Sequence, residues 1–188
     1  MKIGILGAQG TGKTTLAEAL AKELGYPFIR EVAREVMGEM GVISPRELKG
    51  SPEKGRKFQM ACLYRQIAEE EKHKNFVCDR TTIDSAAYWI KWHAHENSSQ
   101  TNMRYYTLAW ENAKKYDLLV YVPPEFPLVD DGCRSINKAY QREMDFLIKL
   151  LLGSWGKNYI TVEGTLKERV AQVVKVVKEV HHEIISTN

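Results

Sequence analysis

The chain of 188 residues is long enough for one well-buried domain and too short for two of typical size. With 44% hydrophobic and 27% charged residues it has the balance of a soluble globular protein, and a formal net charge of +3 without a dense Lys/Arg run gives no basis for a nucleic-acid partner. Cys62, Cys78 and Cys133 form no CxxC pair and no Cys/His cluster, which argues against zinc and for reduced thiols in a cytoplasmic setting. No stretch approaches the roughly 18 apolar residues of a membrane span, and Met1–Leu6 runs into a glycine loop rather than a cleavage site. The expectation is a cytoplasmic protein with no membrane partner.

In chain order, the first element is a short apolar strand, Lys2–Leu6, followed by the loop Gly7–Thr14. A helix then carries Leu16, Ala19, Leu20 and Leu24, and Gly25 is placed to end it. Pro27–Arg30 reads as a second strand leading to Glu31. Gly38–Lys57, rich in Gly, Pro, Ser and Lys, reads as a surface loop, with Ser44–Glu47 able to start a short helix. Met60, Leu63, Tyr64 and Ile67 have the spacing of a buried helical stripe. Phe76–Cys78 is a third strand ending at Asp79, and the polar stretch His95–Thr101 reads as a second loop. Leu118–Val122 and Tyr159–Val162 complete the strands, separated by the helical stripe Met144, Leu147, Ile148 and Leu151. The last helix carries Val170, Val173, Val174 and Val177, and Thr165 with Glu168 forms a capping-box pattern at its start. Short apolar runs alternating with helical segments imply an α/β fold around a mostly parallel sheet.

The loop Gly7-Ala8-Gln9-Gly10-Thr11-Gly12-Lys13-Thr14 matches GxxxxGK[ST] and lies between a strand and a helix, the setting this motif requires. Glycines let the backbone curl so that successive N–H groups converge on phosphate oxygens at the positive end of the new helix. In such a loop Lys13 reaches the β- and γ-phosphates of ATP and the Thr14 hydroxyl ligates Mg²⁺. Asp79, a carboxylate ending a strand, fits the Walker-B position that holds the metal; its alternative is to cap the next helix.

Further blocks resemble known proteins. Arg30-Glu31-Val32-Ala33-Arg34-Glu35, the run from Asp79-Arg80-Thr81 to Asp84-Ser85-Ala86-Ala87-Tyr88, and Asp130-Asp131-Gly132-Cys133-Arg134-Ser135 are similar to the ribosylnicotinamide kinase domain of the bifunctional NAD regulators and to related small AAA-type ATPases. The loop Gly7–Thr15 and the weaker Val162-Glu163-Gly164 with Glu168-Arg169 are similar as well. Thymidylate and deoxynucleoside kinases are more distant likenesses. The resemblance covers nearly the whole chain, although no adenylyltransferase segment accompanies it.

This likeness implies a single P-loop NTPase domain over residues 1–188, a three-layer α/β/α sandwich with a parallel five-stranded sheet of order 2-3-1-4-5, and a lid around residues 130–142. It implies ATP and Mg²⁺ as cofactors and a nucleoside- or nucleotide-like acceptor. Gly7, Gln9, Gly10, Thr11, Gly12, Lys13, Thr14 and Thr15 would bind the nucleotide, and Thr14 with Asp79 the metal. Lys13, Glu31, Asp79, Arg80 and Arg134 would serve catalysis. Glu31, Arg34, Asp84 and Tyr88 would face the acceptor, with Trp89 and Tyr64 as further candidates for its pocket.

Each role has a plainer alternative. Glu31 is equally readable as a surface residue in a helix's first turn, and Arg34 as an ion-pair partner of Glu31 or Glu35. Tyr64 fits the core stripe better than a pocket, and His93, His95, His181 and His182 read as surface histidines. Arg134, Lys138 and Arg142, spaced by four, read either as the basic stripe of a lid or as a solvated helix face. The expected activity is transfer of the γ-phosphoryl group of ATP to a nucleoside-like hydroxyl. The alternatives are a nucleoside monophosphate kinase and a regulatory ATPase without a small acceptor. A GTPase switch is disfavoured because Asn137-Lys138-Ala139-Tyr140 lacks the guanine-reading aspartate. The assembly state stays open, with a homodimer as one option.

Overall fold

The computed structural model describes residues 1–43, 47–48, 50–128 and 136–186, with side chains described to residue 180. Its centre is β1 (Lys2–Leu6), whose last four residues are buried on both faces. β3 (Phe76–Asp79) and β4 (Leu118–Tyr121) pair with β1 in parallel, and β2 (Phe28–Ile29) and β5 (Ile160–Thr161) form the edges. The sheet order is β2-β3-β1-β4-β5, the order expected from the resemblance. All strands point one way, so their C-terminal ends form one rim, where parallel α/β sheets bind ligands.

Helices cover both faces because alternate residues of each strand point to opposite sides. On one face, Ile3, Ile5, Val77 and Val120 pack against Leu16, Ala17 and Leu20 of α1 (Lys13–Leu24) and Val173 and Val177 of α7 (Leu166–Ser186). On the other, Leu6, Phe76, Cys78, Leu119 and Tyr121 meet α3 (Pro52–Glu71), α4 (Thr82–Trp92), α5 (Ser99–Ala113) and α6 (Lys138–Ser154). A short α2 (Ala33–Glu39) follows β2 and packs with α3 in a small satellite core of Val32, Val36, Phe58 and Cys62. The result is a three-layer α/β/α sandwich. Among the described residues no helix is long and apolar enough to cross a membrane.

Several local expectations need correction. The segment before α3 is shorter than its composition suggested, because Ser51 accepts from the Lys54 amide and Pro52 occupies the first helical turn, so the helix starts inside the expected loop. Residues 44–46, where a short helix was expected to begin, lie outside the described residues. The polar stretch at 95–101 is mostly structured: a 3₁₀ turn spans Ala94–Glu96, and Ser98 caps α5 by accepting from Thr101. The inward face of α3 is Cys62, Leu63, Gln66 and Glu70, leaving Tyr64 55% exposed rather than in the core. His93 is buried beside Gly55, not on the surface; the side chains of His181 and His182 lie outside those described. Gly25 ends α1 in the left-handed conformation, and the Thr165–Glu168 capping box forms, both as expected.

Trp89 lies in the middle of the larger core. It is fully buried, stacks on Tyr105 with ring centroids 4.0 Å apart, and donates its indole N–H to Asn102 at 2.8 Å. Its place as an acceptor-pocket wall is thereby excluded. Trp89→Ala is expected to cost about 3–5 kcal/mol of unfolding free energy, measured by urea titration. A loss below about 1 kcal/mol would show that the stack does not organise this core.

Candidate functional site

The glycine loop leaves β1 at Leu6 and closes onto the N-terminus of α1. Gly7 takes φ +146°, and a Cβ there would sit 2.4 Å from the Val122 carbonyl oxygen, so the chain turns against β4 only because the side chain is absent. Gly12, the N-cap of α1, offers no side-chain cap, which leaves the first N–H groups of the helix, those of Lys13, Thr14 and Thr15, open toward the loop. This is the arrangement that receives an anion. The Thr11 hydroxyl donates to the Ala8 carbonyl at 3.1 Å, and the Lys13 ammonium donates to the same carbonyl at 2.5 Å. Both nitrogen and oxygen of the Gln9 side-chain amide are buried without a hydrogen-bond partner. A buried polar group in a loop of this shape calls for a ligand or water.

Thr14 and Asp79 meet beside the loop: the threonine hydroxyl donates to the buried carboxylate at 2.5 Å. The strand register brings them together, since Asp79 pairs with Ile5 of β1. One hydroxyl and one carboxylate suit Mg²⁺, which takes few protein ligands and keeps waters and phosphate oxygens. Among the described residues no group of three or more His, Cys, Asp or Glu could cage a metal, so the donor set does not favour zinc.

Register also creates the second half of the site. The last paired residues of β2 and β3 are Ile29 and Cys78, and two residues further along each strand lie Glu31 and Arg80. Their side chains form an ion pair through Arg80 Nε. Arg80 Nη1 lies 3.7 Å from Asp84 Oδ1, and the guanidinium sits 5.0 Å from the Tyr88 ring centroid. Nη1 itself has no hydrogen-bond partner although it is buried. Arg80 is also the only non-glycine residue with positive φ (79°) among the described residues. That conformation costs on the order of 1–3 kcal/mol and clusters at functional sites.

Asp84 fastens the two halves. Its Oδ2 accepts from the Thr81 amide and hydroxyl, each at 2.9 Å, and its Oδ1 accepts from the Gly7 amide at 3.3 Å. Burial raises its pKa against the pull of Arg80 and Lys13. With both oxygens engaged, Asp84 braces the loop and Arg80 inside the protein. Burial, helped by the neighbouring Arg80, lowers the Lys13 pKa to about 8, although Asp84, Asp79 and Glu31 oppose the shift.

The structure thus brings together Lys13, Thr14, Asp79, Arg80, Glu31, Asp84 and Tyr88. Thr15 is exposed on the first turn of α1, and Arg34 is exposed on α2. Arg134 and most of the expected lid lie outside the described residues. α6 begins at Lys138, capped by Asn137, and of the basic stripe it carries the exposed Lys138 and Arg142. Two residues missed in the sequence hold the loop from outside. Gln141 of α6 donates to the Gln9 carbonyl at 2.8 Å, and the buried Arg169 of α7 donates to the Thr11 carbonyl at 3.0 Å. Arg169 also binds the Gly164 carbonyl at 2.9 Å and Glu125 at 2.9 Å. Only the weak Glu168-Arg169 likeness hinted at the second; nothing local marks Gln141.

A family model described as an AAA domain matches residues 2–169. The chain belongs to this AAA domain family. No curated protein matches the sequence. Among solved structures, deoxyadenosine kinase from M. mycoides with the products dCMP and dCDP bound is 18% identical, with 96% of this chain and 100% of that chain covered and a TM-score of 0.69. NadR in complex with NR is 21% identical over 95% of this chain and 50% of that one, with a TM-score of 0.71. NadR in complex with NAD and AMP-PNP is 19% identical over 95% and 48%, with a TM-score of 0.73. This AAA domain chain therefore has the fold of the P-loop kinases and spans about half the length of NadR.

The depressed Lys13 pKa has a direct consequence for the AAA domain loop. Its ammonium is charged below about pH 8 and lost above it. Affinity for Mg²⁺-ATP, measured by titration calorimetry, is expected to fall about tenfold between pH 7 and pH 9. A flat profile over that range would remove Lys13 from the binding surface.

Proposed function

We propose that this protein is an ATP- and Mg²⁺-dependent phosphotransferase that moves the γ-phosphoryl group to a hydroxyl of a nucleoside-like small molecule. The observation that carries the reading is the Glu31–Arg80 pair, fixed at the ends of β2 and β3 beside Lys13, Thr14 and Asp79. A carboxylate beside the phosphate loop can orient and deprotonate an acceptor hydroxyl, and a neighbouring guanidinium supplies positive charge to the transferring group. The bound species of the similar folds support the acceptor class: dCMP and dCDP in the deoxyadenosine kinase, NR in NadR. The AMP-PNP bound to NadR supports ATP as donor.

Charge accounting supports the rest. Lys13 and Arg80 face Glu31, Asp79 and Asp84, so this cluster is one negative charge in excess before any phosphate arrives. A triphosphate placed there requires added positive charge. Thr14 and Asp79 would hold Mg²⁺, which supplies charge neutralisation to the phosphate oxygens. A basic lid over residues 130–142, with Arg134, Lys138 and Arg142, would supply more and exclude water. Backbone N–H groups of Gly7–Thr15 and the Lys13 ammonium would bind the donor phosphates. Glu31 would orient the acceptor hydroxyl and receive its proton, with Arg80 holding the carboxylate in place. Arg34 and Tyr88 would contact the acceptor.

Glu31→Gln is expected to lower kcat about 100-fold while the Kd for ATP changes by less than about threefold. Unchanged kcat would reduce Glu31 to an ion-pair partner. The acceptor is read by incubating the protein with Mg²⁺-ATP and a panel of nicotinamide riboside, nucleosides and nucleoside monophosphates, then resolving products by mass spectrometry. One acceptor gaining a phosphate mass establishes the kinase; ADP release without any phosphorylated product points instead to a regulatory ATPase.

A further inference from the structure

Beneath the rim a buried carboxylate has no part in the chemistry above. Glu70, on the inward face of α3, is 6% exposed. Its Oε1 accepts from Gln66 Nε2 at 2.7 Å and from the Tyr116 hydroxyl at 2.6 Å, and the Cys78 thiol is a third partner. Each of the first two partners makes a second bond, and both reach one turn. Gln66 Nε2 donates to the Arg80 carbonyl at 3.3 Å, and the Tyr116 hydroxyl accepts from the Thr82 amide at 3.2 Å. These two backbone groups belong to the peptides on either side of Thr81. The turn is pressed against β1 as well: a Cβ at Gly4 would meet Thr81 Cγ2 at 2.6 Å and Tyr116 Cδ1 at 3.2 Å.

The turn so held contains Arg80 in its left-handed conformation, and Arg80 places its guanidinium on Glu31 and near Asp84. A buried carboxylate is a poor way to stabilise a core, where an apolar residue of similar volume serves as well or better. This one directs its partners' bonds to the peptides flanking Thr81. We propose that Glu70 is a positioning residue, which acts through Gln66 and Tyr116 to fix the Arg80–Thr82 turn and so sets the Arg80 guanidinium for phosphoryl transfer. The inference rests on the phosphotransferase reading for its kinetic consequence, but not for its structural one.

The test uses Tyr116→Phe, Gln66→Met and their combination in the full chain; both keep the core filled, whereas Glu70→Ala risks the fold. Two readouts are taken at a temperature where all variants are folded. The first is the Nε–H resonance of Arg80 in protein labelled with ¹⁵N-arginine, assigned as the signal lost in Glu31→Gln. The second is kcat beside the Kd for ATP. In the double variant the Arg80 resonance should move toward that of an exposed arginine, and kcat should fall at least about tenfold with ATP affinity within about twofold. A wild-type resonance and wild-type kcat with only a lowered Tm overturn the proposal, because Glu70 is then a core residue alone. A matching loss of ATP affinity overturns it too, since the glycine loop would have moved instead. If the wild-type protein phosphorylates no acceptor, the phosphotransferase reading fails while the Arg80 resonance still decides this one.

Discussion

The rim of the sheet depends on how one guanidinium is kept out of water. Arg80 is largely buried, and a buried charge is tolerable only when it is paired and its surroundings hold it. Glu31 supplies the pair, Asp84 lies within ion-pair distance and Tyr88 lies against the guanidinium face. Removing any of these leaves a charge in a low-dielectric setting, so β2, β3 and the start of α4 are fastened to one another through Arg80. Asp84 then extends the fastening to the Gly7 amide. The glycine loop and the Glu31–Arg80 pair are therefore fastened to one another, not merely neighbours.

This unit carries more acid than base, and that imbalance shapes its behaviour. Carboxylates at Glu31, Asp79 and Asp84 hold Lys13 and Arg80 in place while leaving the site unfriendly to a polyanion by itself. Lys13 shows the tension directly: burial and the second cation weaken its hold on a proton, and the acids restore part of it. On the proposed reading, a metal held by Thr14 and Asp79 would supply the missing positive charge to an incoming phosphate.

Legibility in the sequence followed the range of the interactions. The phosphate loop, β1, α1 with its Gly25 cap and the capping box at Thr165 are set by residues within a few positions of one another, and each stands where its local pattern placed it. The sheet order and the Glu31–Arg80 neighbourhood came from resemblance rather than from periodicity, and the register explains them only afterwards. α3 misled at one position: Leu63 lies in the core with Met60 and Ile67 packed against it, but Tyr64 is turned out, and the inward face takes Gln66 and Glu70 instead. His93 misled for the same reason, a polar residue spent inside. Gln141 was invisible and Arg169 marked only by a weak likeness, because their partners, Gln9 and Thr11, lie 132 and 158 positions away. No spacing rule reaches that far.

The Arg169 contact has a consequence for how the molecule comes into being. The glycine loop is made well before the side chain that holds its Thr11 carbonyl, which follows 158 positions later on α7. Contacts between residues so far apart in the chain form late, after the intervening loop entropy has been overcome. A nascent chain therefore displays the phosphate-loop sequence early and completes its shape only once α7 has left the ribosome and docked on β1 and α1.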